Sequence, residues 1–203
     1  MDGDHVGWLN HARFLGVIVD KKVNFKMHIS QVLTKISKHA GILFKLRGSL
    51  PTCTRINYYN SFILPYLEYN LLHWGGTNVT HLEPLVIVQK RIIRTIADAD
   101  YLAHTTPLFH SLKLLKLRDL YKFQAVVDTH IKIKHGKYNI SHELHTRNSQ
   151  LALPKFHRLT RTQQSVTFNG PTFWNRLPKE LRNISSLPDF KLKLKDYYVS
   201  CYV

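Results

Sequence analysis

Side chains that could carry out chemistry occur in this sequence, but their spacing fits none of the common catalytic or metal-binding patterns. Thirteen histidines are present, and two of them, His142 and His145, lie in the segment HELH. The zinc-binding pattern H-E-x-x-H instead places its histidines four residues apart on one helix face. Cys53 and Cys201 are too far apart in sequence for a C-x-x-C pair. With no G-x-S-x-G elbow and no Gly-rich phosphate loop, we expect neither a metal centre nor an independent hydrolase.

The clearest chemical signal is positive charge. Lysine and arginine number 29 against 13 acidic residues, which gives a net charge of +16. Such an excess favours a polyanionic partner, above all nucleic acid, although a soluble protein can also be basic without one. No apolar stretch approaches the length of about 20 residues that a membrane-spanning helix needs. The N-terminus shows no signal-peptide pattern, so we expect no membrane partner and a nuclear or cytoplasmic location.

Two groups of basic residues recur at helical spacing. At 3.6 residues per turn the first group covers about 80° of a helix surface and the second about 100°. Rows of this kind can contact successive phosphates without reading the base sequence. The alternative is a solvated face that only keeps the chain soluble. The candidate nucleic-acid-binding residues are Lys35, Lys38 and Lys45 in the first group and Lys90, Arg91 and Arg94 in the second.

Hydrophobic periodicity predicts a mainly α fold with a small β element near the N-terminus. Residues 12–20 (ARFLGVIVD) are rich in β-branched and aromatic side chains and predict one strand, paired with a weak strand around Val6–Leu9. Helical spacing begins at Asn24, which is a suitable N-cap. The apolar stripe predicted for this helix consists of Ile29, Val32, Leu33, Ile36, Ala40 and Leu43. A second helix over residues 54–74 contains Pro65, which should kink or divide it. Its predicted apolar stripe consists of Ile56, Tyr59, Ile63, Tyr66, Leu67 and Trp74.

Later helices are indicated by the residues at their ends. Thr80 and Glu83 have the spacing of a capping box, which predicts a helix start at Thr80. The apolar stripe predicted for this helix consists of Leu82, Leu85, Val86, Ile92, Ile93 and Ile96. Pro107 opens a short helix, and a longer one is predicted from Leu117 to His135. Residues 137–170 lack periodicity and predict a linker or a segment that lies along the surface.

The C-terminal part is predicted to be helical and basic. Pro171 suits the first position of a helix, and a last amphipathic helix is predicted from Ser186 with apolar residues Phe190, Leu192, Leu194 and Tyr198. Three lysines alternate with these apolar residues and are interpreted as the exposed side of the last helix: Lys191, Lys193 and Lys195. The predicted division of the chain is a strand or hairpin remnant over 1–22, a helical bundle over 23–100, a helical extension over 101–136, and a basic linker with C-terminal helices over 137–203.

Several segments follow one another in a recognisable order. FLGVIVD precedes a basic helix with HIS, and then come GILFKLR, YYNSFILPYLEYNLLHWGG, THLEPLVIVQKRIIR, HTTPLFHSLKLLKLRDLYKFQ and GPTFWNRLPKELRNISSLPDFKLKLK. Each segment alone is weakly specific, but the ordered series covers nearly the whole chain. It resembles the C-terminal third of reverse transcriptases from non-LTR retrotransposons, particularly the jockey-like kind.

The resemblance implies a fold and a partner. Residues 24–97 correspond to a thumb that lies along an RNA–DNA or DNA template–primer duplex. The first segment corresponds to the end of the palm, where a hairpin holds the primer terminus. The primer-grip-like candidates are Phe14, Leu15 and Gly16, and Val17 and Asp20 match the same motif. The simpler hypothesis for this segment is a buried strand whose side chains mostly serve packing.

The resemblance also implies which chemistry is missing. Polymerases of this family use three aspartates, two of them adjacent, to bind a pair of metal ions, which are Mg²⁺ in the full-length family. This sequence has no adjacent aspartates, and Asp98 and Asp100 follow a predicted helix end. We therefore expect a chain that lacks the catalytic palm, has no cofactor of its own, and is not an enzyme by itself. The missing palm and fingers of the parent polymerase are an implied further partner.

Two other hypotheses stay open at this point. The same helices could form a protein-interaction or scaffold domain, with the charge serving only solubility. The chain could also be a decayed copy of the element without activity.

Overall fold

The computed structural model describes residues 10–137, Ala152 and residues 158–202. Within these ranges the fold is mainly α, as predicted, with one antiparallel pair of strands, β1 (His11–Phe14) and β2 (Val17–Asp20). A π-helical segment spans Tyr59–Ile63. The helices are α1 (Lys26–Lys45), α2 (Thr52–Tyr58), α3 (Leu64–Glu68), α4 (Leu71–Trp74), α5 (Val79–Ala97), α6 (Thr105–Ser111), α7 (Leu117–Lys134), α8 (Thr160–Gln163), α9 (Val166–Asn175), α10 (Lys179–Arg182) and α11 (Leu187–Ser200).

The strand predicted over residues 12–20 is a hairpin folded back on itself. Its turn lies at Leu15 and Gly16, which have φ angles of 44° and 81°. Two successive positive φ angles are typical of the type I′ turn that joins closely paired strands. One strand was predicted over these residues, within an N-terminal strand or hairpin remnant. The hairpin is present, and its turn divides the predicted strand into β1 and β2 because Leu15 and Gly16 both adopt positive φ angles. The partner predicted around Val6–Leu9 lies outside the described residues.

Helices α1 and α5 pack against each other and form a large part of the core. The stripe predicted for α5 is buried or partly buried, and Ile92, Ile93 and Ile96 are at most 1% exposed. Full burial of a large aliphatic side chain contributes about 1.5–3 kcal/mol. The stripe predicted for α1 is confirmed in the same way for Ile29, Val32, Leu33, Ile36, Ala40 and Leu43.

The start of α5 differs from the prediction. The helix begins at Val79, and no side chain caps it. The predicted capping box at Thr80 is therefore wrong. Glu83, which was expected to complete the box, forms an ion pair with Arg118 of α7 at 3.3 Å. The Glu83 side chain thus contacts another helix instead of completing a cap at Thr80.

Pro65 divides the second predicted helix, as expected. Proline has no N–H and disrupts the i→i−4 hydrogen-bond pattern, and here the backbone widens into the π-helical segment directly before α3. Such a wide turn inserts one residue without ending the helical path. The apolar stripe predicted for this region is buried at Tyr59, Ile63, Leu67 and Trp74.

A buried amide joins α5 to two other parts of the chain. Gln89 is 1% exposed. Its Nε2 atom donates to the Tyr59 hydroxyl at 2.9 Å and to the Leu115 carbonyl at 3.0 Å. Its Oε1 atom accepts the Leu117 N–H at 2.8 Å. Buried polar groups are stable when they are paired in this way, so the amide fixes the start of α7 against α5.

The linker predicted over residues 137–170 is partly helical. Residues 158–170 include α8 and the first half of α9, and α9 packs on α7. Pro171 was predicted at the first position of a helix, but it lies inside α9, which begins at Val166. Periodicity missed the start of α9 because its close contact with α7 is made by Gly170, which has no side chain. Most of the remaining predicted linker lies outside the described residues.

An aromatic cluster joins α7, α9 and α11. The ring of His130 stacks on that of Phe190, with centroids 4.1 Å apart and an angle of 10° between the planes. The Trp174 ring lies 5.2 Å from His130. All three side chains are buried. This cluster anchors the end of the described chain to its central helix.

The last helix follows its prediction at all but one apolar position. Ser186 precedes α11, and Phe190, Leu194 and Tyr198 are buried. Leu192 was predicted with them but is 62% exposed, because it lies on the same side as the lysines. Those lysines are exposed, as interpreted: Lys191, Lys193 and Lys195.

Gly170 marks a point of close approach between α9 and α7. A Cβ atom added there would lie 2.4 Å from Thr129 Oγ1 and 3.3 Å from the Ala125 carbonyl oxygen. We predict that Gly170→Ala lowers the free energy of unfolding by about 1–3 kcal/mol, because overpacking forces the two helices apart. Chemical denaturation followed by circular dichroism measures this loss.

Two further variants control this prediction. Thr129→Ala removes the clashing hydroxyl, so it should restore part of the stability when combined with Gly170→Ala. Gly41 lies within α1, and nothing lies within 4 Å of a Cβ atom added there. Gly41→Ala should therefore raise the free energy of unfolding by about 0.5–1 kcal/mol through helix propensity. Equal losses at both glycines would contradict the close-approach explanation.

Two buried histidines should make stability depend on pH. Burial lowers the pKa of His28, with a further contribution from Lys35, and burial lowers the pKa of His130, with a further contribution from Lys134. In the unfolded chain both rings titrate near their ordinary pKa of 6.5. Below that pH the unfolded state binds protons that the folded state does not. Stability is therefore fully present above pH 6.5 and falls as the pH drops below it.

Thermal unfolding at about pH 7.5 and about pH 5.5 tests this dependence on the two sides of the histidine titration. The melting temperature should be lower at the acidic pH. His130→Phe keeps an aromatic ring against Phe190 and removes one titrating group, so it should reduce the difference between the two temperatures. An unchanged difference would rule out His130 as a source of the effect.

Candidate nucleic-acid interface

Asp20 connects the hairpin to α1. Its carboxylate accepts backbone N–H groups from Lys22 at 2.9 Å, Asn24 at 3.3 Å and Phe25 at 2.9 Å. The side chain of Asn24 accepts the Lys26 N–H at 2.9 Å. Asn24 was predicted as the N-cap of this helix, but the N-cap is Phe25 and no side chain caps α1, so that prediction is wrong. Sequence reasoning matched Asp20 to a motif without giving it this role in the turn.

The tip of the hairpin is apolar and exposed. Phe14 and Leu15, two of the primer-grip-like candidates, are 70% and 73% exposed. The expectation that most of this segment serves packing is wrong, because Val17 is the only fully buried residue in the two described strands. Gly16 lies against the ring of Tyr69, whose hydroxyl donates a 2.6 Å hydrogen bond to the Leu15 carbonyl. The turn is therefore anchored while its apolar side chains face solvent.

A groove of about 280 Å³ runs between the hairpin, α1 and α3. It brings together Gly16 and Lys35, which come from different candidate sets, and Arg13 adds a second positive charge. His28 also lines the groove; it is 4% exposed, and its ring nitrogens have no hydrogen-bond partner among the described residues. The Lys35 Nζ atom lies 5.3 Å from the centre of the Tyr66 ring. The lining suits an anionic strand.

The three candidates on α1 are available at the surface. Lys35, Lys38 and Lys45 are exposed. None of them forms a salt bridge within the part of the chain that the structure describes. The buried stripe of α1 packs towards α5, so the outer lysines lie on the side away from the core, as predicted.

The candidates on α5 are divided between the surface and a cavity. Arg91 is exposed. Lys90 and Arg94 line a cavity of about 580 Å³ between α5, α6 and α7. The Nε atom of Arg94 donates to the Ala103 carbonyl at 2.8 Å, which fixes this side chain against the loop before α6. The predicted row on α5 is thus partly a surface and partly a cavity wall.

Sequence reasoning missed further cations that line the same cavity. Lys116 directly precedes α7, and Lys122 lies in its second turn. Their positive charge was visible in the segment KLLKLRDLYK, but this segment is remote from Lys90 in sequence. Their convergence depends on the contact that Gln89 makes with the start of α7, which no local pattern reveals.

The described residues contain no group of three or more histidine, cysteine, aspartate or glutamate side chains placed to hold a metal ion. Asp98 contacts Arg47 at 2.5 Å instead. His142 and His145, considered above as metal ligands, lie outside the described residues. None of the helices in those same ranges has both the length and the apolar character needed to cross a bilayer.

The anchor of the hairpin can be tested by removing one hydroxyl group. Tyr69→Phe deletes the hydrogen bond to the Leu15 carbonyl. A hydrogen bond of this kind contributes about 0.5–1.5 kcal/mol, so amide exchange in residues 11–20 should become about 2–10 times faster. Exchange in α7 should stay unchanged. Hydrogen–deuterium exchange with mass spectrometry measures both regions in one experiment.

Tyr101→Phe is the matched control, because Tyr101 is 69% exposed and lies away from the hairpin in sequence. It should leave exchange in the hairpin unchanged. If Tyr69→Phe also leaves it unchanged, the hydroxyl does not anchor the turn.

The sequence of this chain is similar to those of transposon polymerases. The chain is 26% identical over 114 residues, 54% of its length, to the probable RNA-directed DNA polymerase from transposon X-element of Drosophila melanogaster. It is 27% identical over 124 residues, 59% of its length, to the RNA-directed DNA polymerase from mobile element jockey of the same species. The jockey polymerase of Drosophila funebris is 26% identical over 123 residues, again 59% of the chain. No family model and no solved structure matches the chain.

The matched segment spans only 12–13% of the length of these curated relatives. The similarity is therefore to one part of each polymerase. It agrees with the resemblance seen in the ordered sequence segments. This chain is similar to a region of the RNA-directed DNA polymerases of jockey-like non-LTR retrotransposons.

Proposed function

We propose that this chain is a nucleic-acid-binding region of a retrotransposon RNA-directed DNA polymerase and that it holds a template–primer duplex through the sugar–phosphate backbone. Support comes from its similarity to transposon polymerases and from its basic helix faces. The observation that carries the proposal is that no candidate cation forms a salt bridge with a described carboxylate. Unpaired cations on helix faces suit sequence-independent contacts to phosphates. The candidates for the duplex are Lys35, Lys38, Lys45 and Arg91, which are exposed on α1 and α5. Lys90 and Arg94, which were predicted with them, line the cavity between α5, α6 and α7.

In this proposal residues 23–100 act as a thumb-like bundle, and the hairpin contacts the primer end. Two features support a role for Phe14, Leu15 and Gly16. The apolar tip is exposed, and the turn is held in place by Tyr69. Because Gly16 and Lys35 line one groove, a strand that reaches the hairpin also meets a positive charge on α1.

The proposal does not include nucleotide addition by this chain alone. A polymerase of this kind needs three aspartates that hold two metal ions, and the sequence has no adjacent aspartates. The described residues also offer no cluster that fits such ions. The carboxylates would belong to the palm of the parent polymerase, which, with the fingers, is the proposed protein partner. A nuclear or cytoplasmic location follows from the same proposal.

A helical interaction or scaffold domain is the second candidate, and exposed apolar side chains favour it. Leu102 is 85% exposed, and Phe44 and Leu192 are 63% and 62% exposed. Contacts made by such residues depend weakly on salt, whereas contacts to phosphates depend on it steeply. The salt dependence of binding therefore separates the two candidates.

Charge reversal on α1 tests the proposed function. The triple variant Lys35→Glu, Lys38→Glu, Lys45→Glu should weaken binding to a fluorescein-labelled RNA–DNA hybrid. The log–log slope of affinity against salt concentration should fall by about 0.9 for each phosphate contact that is lost. Fluorescence anisotropy over a series of salt concentrations gives the affinity and the slope.

The matched control reverses three exposed lysines on α11: Lys191→Glu, Lys193→Glu, Lys195→Glu. It changes the net charge by the same amount and should retain most of the affinity. If both triple variants lose the same affinity, only net charge matters and the α1 face is not the site. If neither variant loses affinity, or the affinity does not depend on salt, the proposed function is wrong.

A further inference from the structure

The cavity between α5, α6 and α7 combines positive charge with an apolar wall. Its volume of about 580 Å³ is in the range of pockets that bind small molecules, roughly 300–1,000 Å³. Val86 and Phe109 contribute apolar surface, and Leu102, which is 85% exposed, lies at the rim. A cavity of this size has room for a nucleotide but cannot receive a double helix.

The charges around the cavity do not balance. Five basic side chains line it against two acidic ones, Glu83 and Asp119. Both acids are already engaged: Glu83 pairs with Arg118 at 3.3 Å, and Asp119 pairs with Lys122 at 2.8 Å. No salt bridge within the described residues neutralises the three remaining basic side chains, Lys90, Arg94 and Lys116.

The side chain of Lys116 is held in position by its neighbours. Its Nζ atom lies 4.2 Å from the centre of the Tyr202 ring and donates a 3.1 Å hydrogen bond to the Thr106 hydroxyl. The backbone N–H of Lys116 donates to the Tyr202 hydroxyl at 3.0 Å, and this hydroxyl donates to Asp119 at 2.8 Å. A lysine fixed in this way loses little side-chain entropy when it binds an anion.

The electrostatic environment of Lys116 also indicates crowded positive charge. Burial lowers the pKa of Lys116; Asp119 opposes this effect, and Lys90 and Lys122 lower the pKa further. The two other lysines are therefore close enough to repel it. An anion between them would relieve the repulsion, since opposite charges at short range attract strongly in a partly buried site.

We propose that this cavity binds one phosphate-bearing nucleotide of a single nucleic-acid strand, with Lys90 and Lys116 contacting the phosphate. Arg94 and Lys122 add positive potential, and the apolar wall accommodates the sugar or base. The inference rests on the proposed function, because it assumes that the chain meets nucleic acid. It adds a site for an unpaired strand, separate from the outer face of α1 that is proposed to hold the duplex.

The test measures binding of a fluorescein-labelled single-stranded thymidine 12-mer to the full chain. Replacing Lys90 and Lys116 together by glutamine should weaken binding about tenfold or more, as expected for loss of charge-assisted hydrogen bonds. The salt slope should fall by about 0.7 for each lost phosphate contact on a single strand. Lys191→Gln with Lys193→Gln is the control for charge. It should change the affinity less than twofold, which corresponds to about 0.4 kcal/mol of binding free energy.

Variants at Lys116 could disturb the packing of Tyr202, so Lys90→Gln alone is measured as well. Lys90 is not part of that contact, and its single variant should still weaken binding of the 12-mer. Circular dichroism melting confirms that each variant is folded. If Lys90→Gln and the double variant both bind like the parent chain, the cavity proposal is wrong.

Competition identifies the source of the phosphate. Thymidine 5′-monophosphate should displace the 12-mer, whereas thymidine should not, because thymidine lacks the phosphate. Displacement by inorganic phosphate at the same concentration as the nucleotide would show a site for the free ion and would overturn the inference.

The α1 triple variant separates this proposal from the proposed function. It should weaken binding of the RNA–DNA hybrid more than binding of the single-stranded 12-mer. If it does, and the cavity variants have no effect, only the cavity proposal fails. If neither set of variants affects any nucleic acid, both proposals fail together.

Discussion

The buried side chain of Gln89 is the contact on which the arrangement of the later helices depends. It links α5 to the π-helical segment through Tyr59 and to the start of α7 through Leu117. Burial raises the pKa of Tyr59, so its hydroxyl stays neutral and can accept the amide hydrogen at any physiological pH. Leaving one of these buried groups without a partner costs about 1–3 kcal/mol. The same contact places Lys116 opposite α5. Both the stability of the core and the shape of the basic cavity therefore depend on Gln89.

Several of the acidic residues hold local structure together. Asp20 is used by the turn between hairpin and α1, Asp119 by Tyr202 and Lys122, and Asp128 by Lys132. These carboxylates hold local structure and leave the cations on the α1 face unpaired within the described residues. The positive surface charge on α1 thus depends on where the carboxylates are bonded, as well as on the number of basic residues.

Periodicity in the sequence was enough to predict the helical class and the buried sides of α1 and α5, because a helix must bury one apolar stripe. It was not enough at Thr80 and Pro171. The side chain of Glu83 contacts Arg118 of α7 instead of completing a cap, and α9, which packs on α7, begins five residues before Pro171. The position of the turn was not predicted, because a leucine with a positive φ angle, here Leu15, carries no turn signal in the sequence. In the candidate site, the lysines of α1 follow from helical spacing. Lys116 could not be found in this way, because its neighbours come from a distant helix.

The π-helical segment has a consequence for the evolution of the hairpin anchor. It contains one more residue than an α-helical path of the same length, and each residue rotates a helix by about 100°. Loss of one residue from Tyr59–Ile63 would therefore change the angular phase of everything from α3 onward by that amount. Tyr69 would leave the hairpin, and Leu67 would leave the core. Natural variation in the length of this segment is thus constrained by two contacts at once, one of them with a residue 54 positions away in sequence.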